Sequence, residues 1–254
     1  MKSFVAVAVL GALTGVGLRA QEPERMPKGA HPVFEVATIR PANPDDQSAG
    51  FHLEGHRIFI ENERVTDLLM FAYGLQAKQI VDGPAWMSER FDIHGTPDIA
   101  AAPDFTQLQE MVQKLLAERF GLKFHEDQRE MPIYTLTVAK GGPKLEKSKG
   151  DPDAINDETG SVNSKSEFWK YTNESMDKFA KAMQNSQDRP VVDKTGLAGK
   201  YDFTLKWKTD VAADEADLVD LFTAVQEQLG LKLSADKGMA KVLVVERLEK
   251  PSEN

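Results

Sequence analysis

The sequence predicts an α+β protein made by tandem duplication of a small strand–helix–strand–strand–helix–strand–strand unit. Three observations carry that expectation. Apolar residues recur at helical spacing in some windows, as at Val65, Leu68, Leu69 and Ala72, and alternate in others, as from Tyr201 to Trp207. Leu115–Phe124 aligns with Ala224–Leu233 at an offset of 109, with Glu, Gly, Leu and Lys identical. Four more windows then follow in the same order at offsets of 108 to 111: Asn62-Glu63 with Asn173-Glu174, Val81-Asp82 with Val192-Asp193, Arg90–Ile93 with Lys200–Phe203, and Met131–Leu136 with Met239–Val244.

The division that follows has five parts. Residues 1–20 read as a signal peptide, 21–56 as an extension with one strand at Val33–Arg40, and 57–140 as the first unit. Residues 141–167 read as a flexible linker and 168–254 as the second unit. In the first unit Arg57–Ile60 is a strand, and Val65 to Ala72 a helix with Asn62 as its N-cap and Gly74 as its stop. Gln79–Val81 and Arg90–His94 are strands around a Gly83-Pro84 turn. Leu108, Met111, Val112, Leu115 and Leu116 form the apolar face of a second helix, capped by Asp104 and stopped at Gly121. Leu122–His125 and Ile133–Val138 are expected as a hairpin-like pair.

The second unit repeats the order. Met176, Phe179, Ala180 and Met183 face inward on its first helix; Leu218, Leu221, Phe222, Val225 and Leu229 do so on its second, which Gly230 ends. Leu231–Leu233 and Val242–Val245 are its last strands. The linker 141–167 is rich in Gly, Ser, Asp, Asn and Lys, too polar to bury a core of its own. Gly95–Asp104 and Lys208–Asp217 are expected as loops at matching places.

Composition bounds the function. The chain has 254 residues, 41% hydrophobic and 28% charged, which suits a globular protein rather than a disordered or fibrous one. Its net charge of −9 speaks against nucleic-acid binding, which rests on Lys and Arg at phosphates. There is no Cys, hence no disulfide, zinc–thiolate site, thiol nucleophile or lipoprotein anchor. Lys2, the uncharged run Phe4–Leu18 and the small residue Ala20 form the three-part pattern of a secretory signal, with cleavage near Ala20. The run is short for a membrane span, and no later one is long enough. The mature chain is therefore expected to be extracytoplasmic, either periplasmic or secreted.

Several segments resemble a bacterial protein family. They are Phe34–Pro41, Gly83–Trp86 ahead of Arg90–Ile93, Leu115–Phe124 followed by His125–Pro132, Pro190–Leu197, and the end Glu249–Asn254. Together they are similar to a soil-associated family of exported proteins, a domain of unknown function. That resemblance implies export, large paralogous sets and occasional fusion to membrane peptidase-sensor proteins of the antibiotic-response type. It brings no catalytic residue with it. The order of elements in each half also resembles the small N-terminal domain of secretins and TonB-dependent receptors, which implies contact with protein partners.

The chemical candidates are few. His52 and His56 flank Glu54 at a spacing that on a helix suits a metal, but Gly50 and Gly55 favour a strand or loop, so no metal site is assigned. His125-Glu126-Asp127 with Arg129-Glu130 reads as a solvated turn rather than an acid/base pair. Asp92 and Asp202, at equivalent places after an aromatic residue, are expected to bond a backbone N–H at a bend. Asn173-Glu174-Ser175 is formally a glycosylation sequon that a helix start explains equally well. No Gly-x-Ser-x-Gly elbow, phosphate loop or dinucleotide loop is present, and no cofactor is implied. Trp169, Trp207, Tyr73, Tyr134 and Tyr201 fall on apolar faces, whereas Trp86 in the Gly-Pro turn is the candidate binding residue.

The expected function is a non-enzymatic binding or sensing protein of the cell envelope, its partner an envelope protein, a peptide or a cell-wall fragment. Two alternatives stand beside it. One is a secreted hydrolase acting on cell-wall or extracellular polymer, which two carboxylates facing each other in a cleft would favour. The other is a structural envelope component that assembles through sheet edges.

Overall fold

The computed structural model describes residues 24–45, 49–151, 157–163, 165–184, 186–209 and 218–252. The expected signal peptide and most of the expected loop Lys208–Asp217 lie outside them. In chain order the elements are β1 (Phe34–Pro41), β2 (Gly50–Glu54), β3 (Arg57–Arg64), α1 (Val65–Tyr73), β4 (Ile80–Val81), β5 (Arg90–Pro97), α2 (Phe105–Arg119) and β6 (Lys123–Val138). There follow β7 (Glu146–Lys147), β8 (Asp157–Val162), β9 (Ser166–Ser175), α3 (Met176–Gln184), β10 (Val191–Asp193), β11 (Lys200–Lys208), α4 (Leu221–Leu229) and β12 (Leu231–Arg247). This is an α+β protein with three four-stranded, mostly antiparallel sheets, ordered β1-β5-β3-β2, β10-β6-β12-β4 and β7-β11-β9-β8. The chain divides into two compact units: the first runs to Asp127 and resumes at Val242, the second is Gln128–Lys241.

In the first unit, alternation along β1, β3 and β5 sends Ile39, Ile58, Ile60 and Ile93 to one face of the sheet. Val65, Leu68 and Leu69 of α1 and Met111, Val112, Leu115 and Leu116 of α2 close over that face. Leu243 and Val245 of β12 belong to the same core, although they come from the far end of the chain. There Leu243 and Val244 pair in parallel with Ile80 and Val81 of β4.

The second unit is built alike. Tyr171, Phe203, Leu205 and Trp207 of its sheet meet Met176, Phe179, Ala180 and Met183 of α3 and Leu221, Ala224, Val225 and Leu229 of α4. Phe203 stacks on Tyr171 at 4.8 Å and meets Phe179 edge-on at 4.9 Å. Its short strand β10 pairs in parallel with Tyr134–Leu136 of β6.

Each unit carries the same bend where a strand runs into a helix. Asn62 at the end of β3 has φ +53°, and Asn173 at the end of β9 has φ +57°. Asn tolerates this left-handed conformation better than most residues. The N–H of Asn62 donates to Asp92 Oδ1 at 2.8 Å, and that of Asn173 to Asp202 Oδ1 at 2.8 Å. Both ladders shift register there, the mark of a bulge. Next in sequence stand two buried carboxyls, Glu63 at 5% exposure and Glu174 at 0%. Asp92 and Asp202 thus each accept a backbone N–H at a bend, the role expected of them.

Five local expectations are corrected. Asn62 does not cap α1: it sits in the bulge, and the cap is Arg64, whose N–H donates to Asp67 Oδ2 at 3.2 Å. The segments Leu122–His125 and Ile133–Val138 are not a hairpin-like pair, because one strand, β6, runs through the charged stretch between them. Leu231–Leu233 and Val242–Val245 likewise belong to the single strand β12. The segment 141–167 holds β7, β8 and the first residues of β9, all hydrogen-bonded in the second unit's sheet. In β6, β12 and the segment 141–167 polarity is no bar to a strand: the ladder satisfies the backbone while the charged side chains stay in water. Gly95–Pro97 also prolong β5 into the expected loop, where Ala101 and Ala102 are buried.

Candidate functional site

The outward face of the first sheet concentrates the large and titratable side chains of its unit. Because core residues occupy one parity of each strand, the other parity points to solvent. Register then aligns four strands: Thr38 of β1 opposite His94 of β5, His94 opposite Phe59 of β3, and Phe59 opposite His52 of β2. The three rings make a row. His52 stacks on Phe59 at 4.9 Å with 6° between planes, and His94 lies 4.8 Å away on the other side. Arg57, two residues along β3, sits 5.1 Å from the centre of the Phe59 ring.

Glu61, two residues the other way, ties the row together. One carboxylate oxygen lies 3.8 Å from His52 Nδ1, and the other 3.7 Å from His94 Nε2. Around them on the same face stand Arg40, Asp92 and Glu54. The face carries the carboxylates of Glu54, Glu61 and Asp92 and the guanidiniums of Arg40 and Arg57. Such a face offers ring contact, a guanidinium and carboxylates, a set suited to recognition.

The expected site residues are scattered. Trp86 lies in a short 3-10 turn, Ala85–Ser88, half-buried against the first core. Lys250 Nζ lies 5.9 Å from its ring centre and is 2.7 Å from Glu89 Oε1. His52 and His56 are not paired as ligands: His52 is on a strand, and His56 follows Gly55 in the turn to β3. Among the described residues no group of three or more His, Asp or Glu is arranged to hold a metal ion. His125 is 2.7 Å from Glu246 and Glu130 is 2.5 Å from Lys237, exposed ion pairs along a strand rather than a turn. Asn173 of the formal sequon is buried in its bulge.

Of the other aromatics, Trp207 and Tyr201 are buried in the second core. Trp169 and Tyr134 pack at that core's margin, and Tyr73 at the first core's. Burial raises the Tyr73 hydroxyl to about 12. Sequence reasoning missed Phe59, Glu61, His94 and Arg57. Their signal was available in the odd parity of β3 and the even parity of β5, opposite the core positions.

No curated protein and no solved structure matches the chain. A family model described as "Protein of unknown function (DUF3738)" matches residues 66–248, the whole second unit and about half of the first, and the chain belongs to that family.

Proposed function

We propose that this chain is an exported, non-enzymatic binding or sensing protein of the cell envelope, and that the outward face of the first sheet is its contact surface. The observation that carries the proposal is the row His52–Phe59–His94, with Arg57 and Glu61, held at the surface of a sheet whose other face is the core. A Phe at the centre of a polar face contributes little to the core and much to recognition. The N-terminal pattern of charge, apolar run and small residue supports export. The paired bulges and the matching parallel strands β4 and β10 support descent of both units by duplication from one, of the kind found at the N-termini of secretins and TonB-dependent receptors.

The test has two arms. Expression of the full chain in a bacterial host, with fractionation and N-terminal sequencing, is expected to yield extracytoplasmic protein beginning at Gln21; uncleaved cytoplasmic protein refutes export. The mature protein is then cross-linked lightly in envelope extract from its own host. Loss of the captured species in Phe59→Ala, but not in Trp86→Ala, supports this surface. Equal capture by both variants and wild type refutes it, and loss in Trp86→Ala alone moves the site to the turn.

The hydrolase reading keeps one observation in its favour. Glu146 and Asp202 are register partners and both line a cleft in the second unit. Turnover of a wall polymer that Glu146→Gln abolishes would establish it.

A further inference from the structure

That cleft has a feature that neither reading uses. It measures about 450 Å³ and lies along the outer edge of β11, between β7 and the end of α4. Every second residue of β11 turns its backbone N–H and C=O toward this edge. Most of these groups are engaged. Lys200 C=O accepts from Ser148 N–H at 2.9 Å, and Asp202 is in register with Glu146 of β7. Farther along, Lys208 N–H donates to Val219 C=O at 3.0 Å. At Lys206 the partner is a side chain: its N–H donates to Gln228 Oε1 at 3.0 Å, and its C=O accepts from Gln228 Nε2 at 2.7 Å. A carboxamide is thus seated on the strand edge as a neighbouring strand's peptide group would be.

Thr204 lies between these engaged positions. β7 ends at Glu146; two residues back, Lys144 N–H donates instead to Leu229 C=O at 2.8 Å, so the chain has left the edge. The N–H and C=O of Thr204 therefore open into the cleft, with no protein partner among the described residues. Thr204 stands two residues, about 7 Å, from the carboxamide-filled position. The slot is one residue long, too short for an added strand. Its rim holds Lys144 and Lys170 against Glu146 and Asp202, so charge is balanced and a neutral group is favoured.

We propose that the cleft binds a small ligand through one neutral amide group, which donates to Thr204 C=O and accepts from Thr204 N–H as Gln228 does at Lys206. An acetamido sugar and a short peptide both carry that group, and the test separates them. The full mature chain, labelled with ¹⁵N, is titrated with N,N′-diacetylchitobiose, with N-acetyl-alanine methylamide, and with cellobiose as the sugar lacking the acetamido group. A shift of the Thr204 amide with either amide probe and not with cellobiose supports the slot, and the tighter probe names the source. Thr204→Pro removes the outward donor without touching the β9 ladder and is expected to weaken binding roughly threefold to tenfold. Gln228→Ser uncovers the next position and is expected to strengthen binding of the peptide probe only. Should both amide probes leave Thr204 unmoved, or cellobiose move it equally, the proposal is overturned. Each outcome is independent of the face around Phe59, which lies in the other unit.

Discussion

Replacing Glu63 by Gln is expected to flatten the pH dependence of stability. The Glu63 carboxyl is buried in the bulge that leads into α1. Burial, the charge of Asp67 and a hydrogen bond to Asp67 push its ionisation up from 4.5 to about 7, against the opposite pull of Arg90 and Arg64. Below 4.5 the carboxyl is protonated whether the chain is folded or not, and the pH dependence it causes is nil. Between 4.5 and about 7 it is ionised in the unfolded chain and protonated in the folded one, so stability falls as pH rises. Above 7 the whole loss is present. Each pH unit is worth about 1.4 kcal/mol, so the span amounts to roughly 3 kcal/mol. Gln keeps the shape but cannot ionise. Urea unfolding of both proteins from acid to mildly alkaline pH gives the difference curve, in which titrating groups remote from Glu63 cancel. Wild type is expected to lose roughly 3 kcal/mol relative to Glu63→Gln across that range. Parallel curves would refute a desolvated carboxyl beside Asp67, and a difference of opposite sign would mean that Arg64 and Arg90 prevail.

Other consequences are equally direct. Asp92→Ala and Asp202→Ala each remove the acceptor for a bulge N–H and are expected to cost about 1–3 kcal/mol by chemical denaturation. Asn62→Val forces a β-branched residue into the left-handed region and should cost a further 1–2 kcal/mol or so, whereas Asn62→Gly should be nearly neutral in the same assay. Gly230→Ala is expected to lower Tm markedly, since φ there is +64° and an added Cβ would collide with the carbonyl of Gly142. Leu243→Ala should cost about 2–5 kcal/mol. Hydrogen exchange should show protection lost at Leu68 and Met111, far away in sequence, with Phe179 and Val225 spared.

The helices were legible because their signals are local. An apolar stripe such as Leu108, Met111, Val112, Leu115 and Leu116 and a stop such as Gly74, Gly121 or Gly230 lie within a few turns of each other. The repeat windows also led to Asp92 and Asp202, whose common position pointed to a backbone bond. Asn62 was misplaced because Asn serves both as a helix cap and as a left-handed residue, and only the register slip between Ile60 and Glu63 separates the two uses. The charged stretch His125–Glu130 reads as a turn because a fully solvated strand has no apolar alternation to show.

Neighbours along the chain are enough to dictate the α+β character, the helix faces and stops, and the alternation of the inner strands. Tertiary structure alone decided that Leu243 and Val245 complete the core around α1, that β7 and β8 join the sheet of the second unit, and that His52, Phe59, Glu61 and His94 converge. It also decided that Gln228 covers Lys206 while Thr204 stays open. These outcomes rest on strand register and edge pairing between residues far apart in sequence, where a slip of one position turns a side chain to the other face.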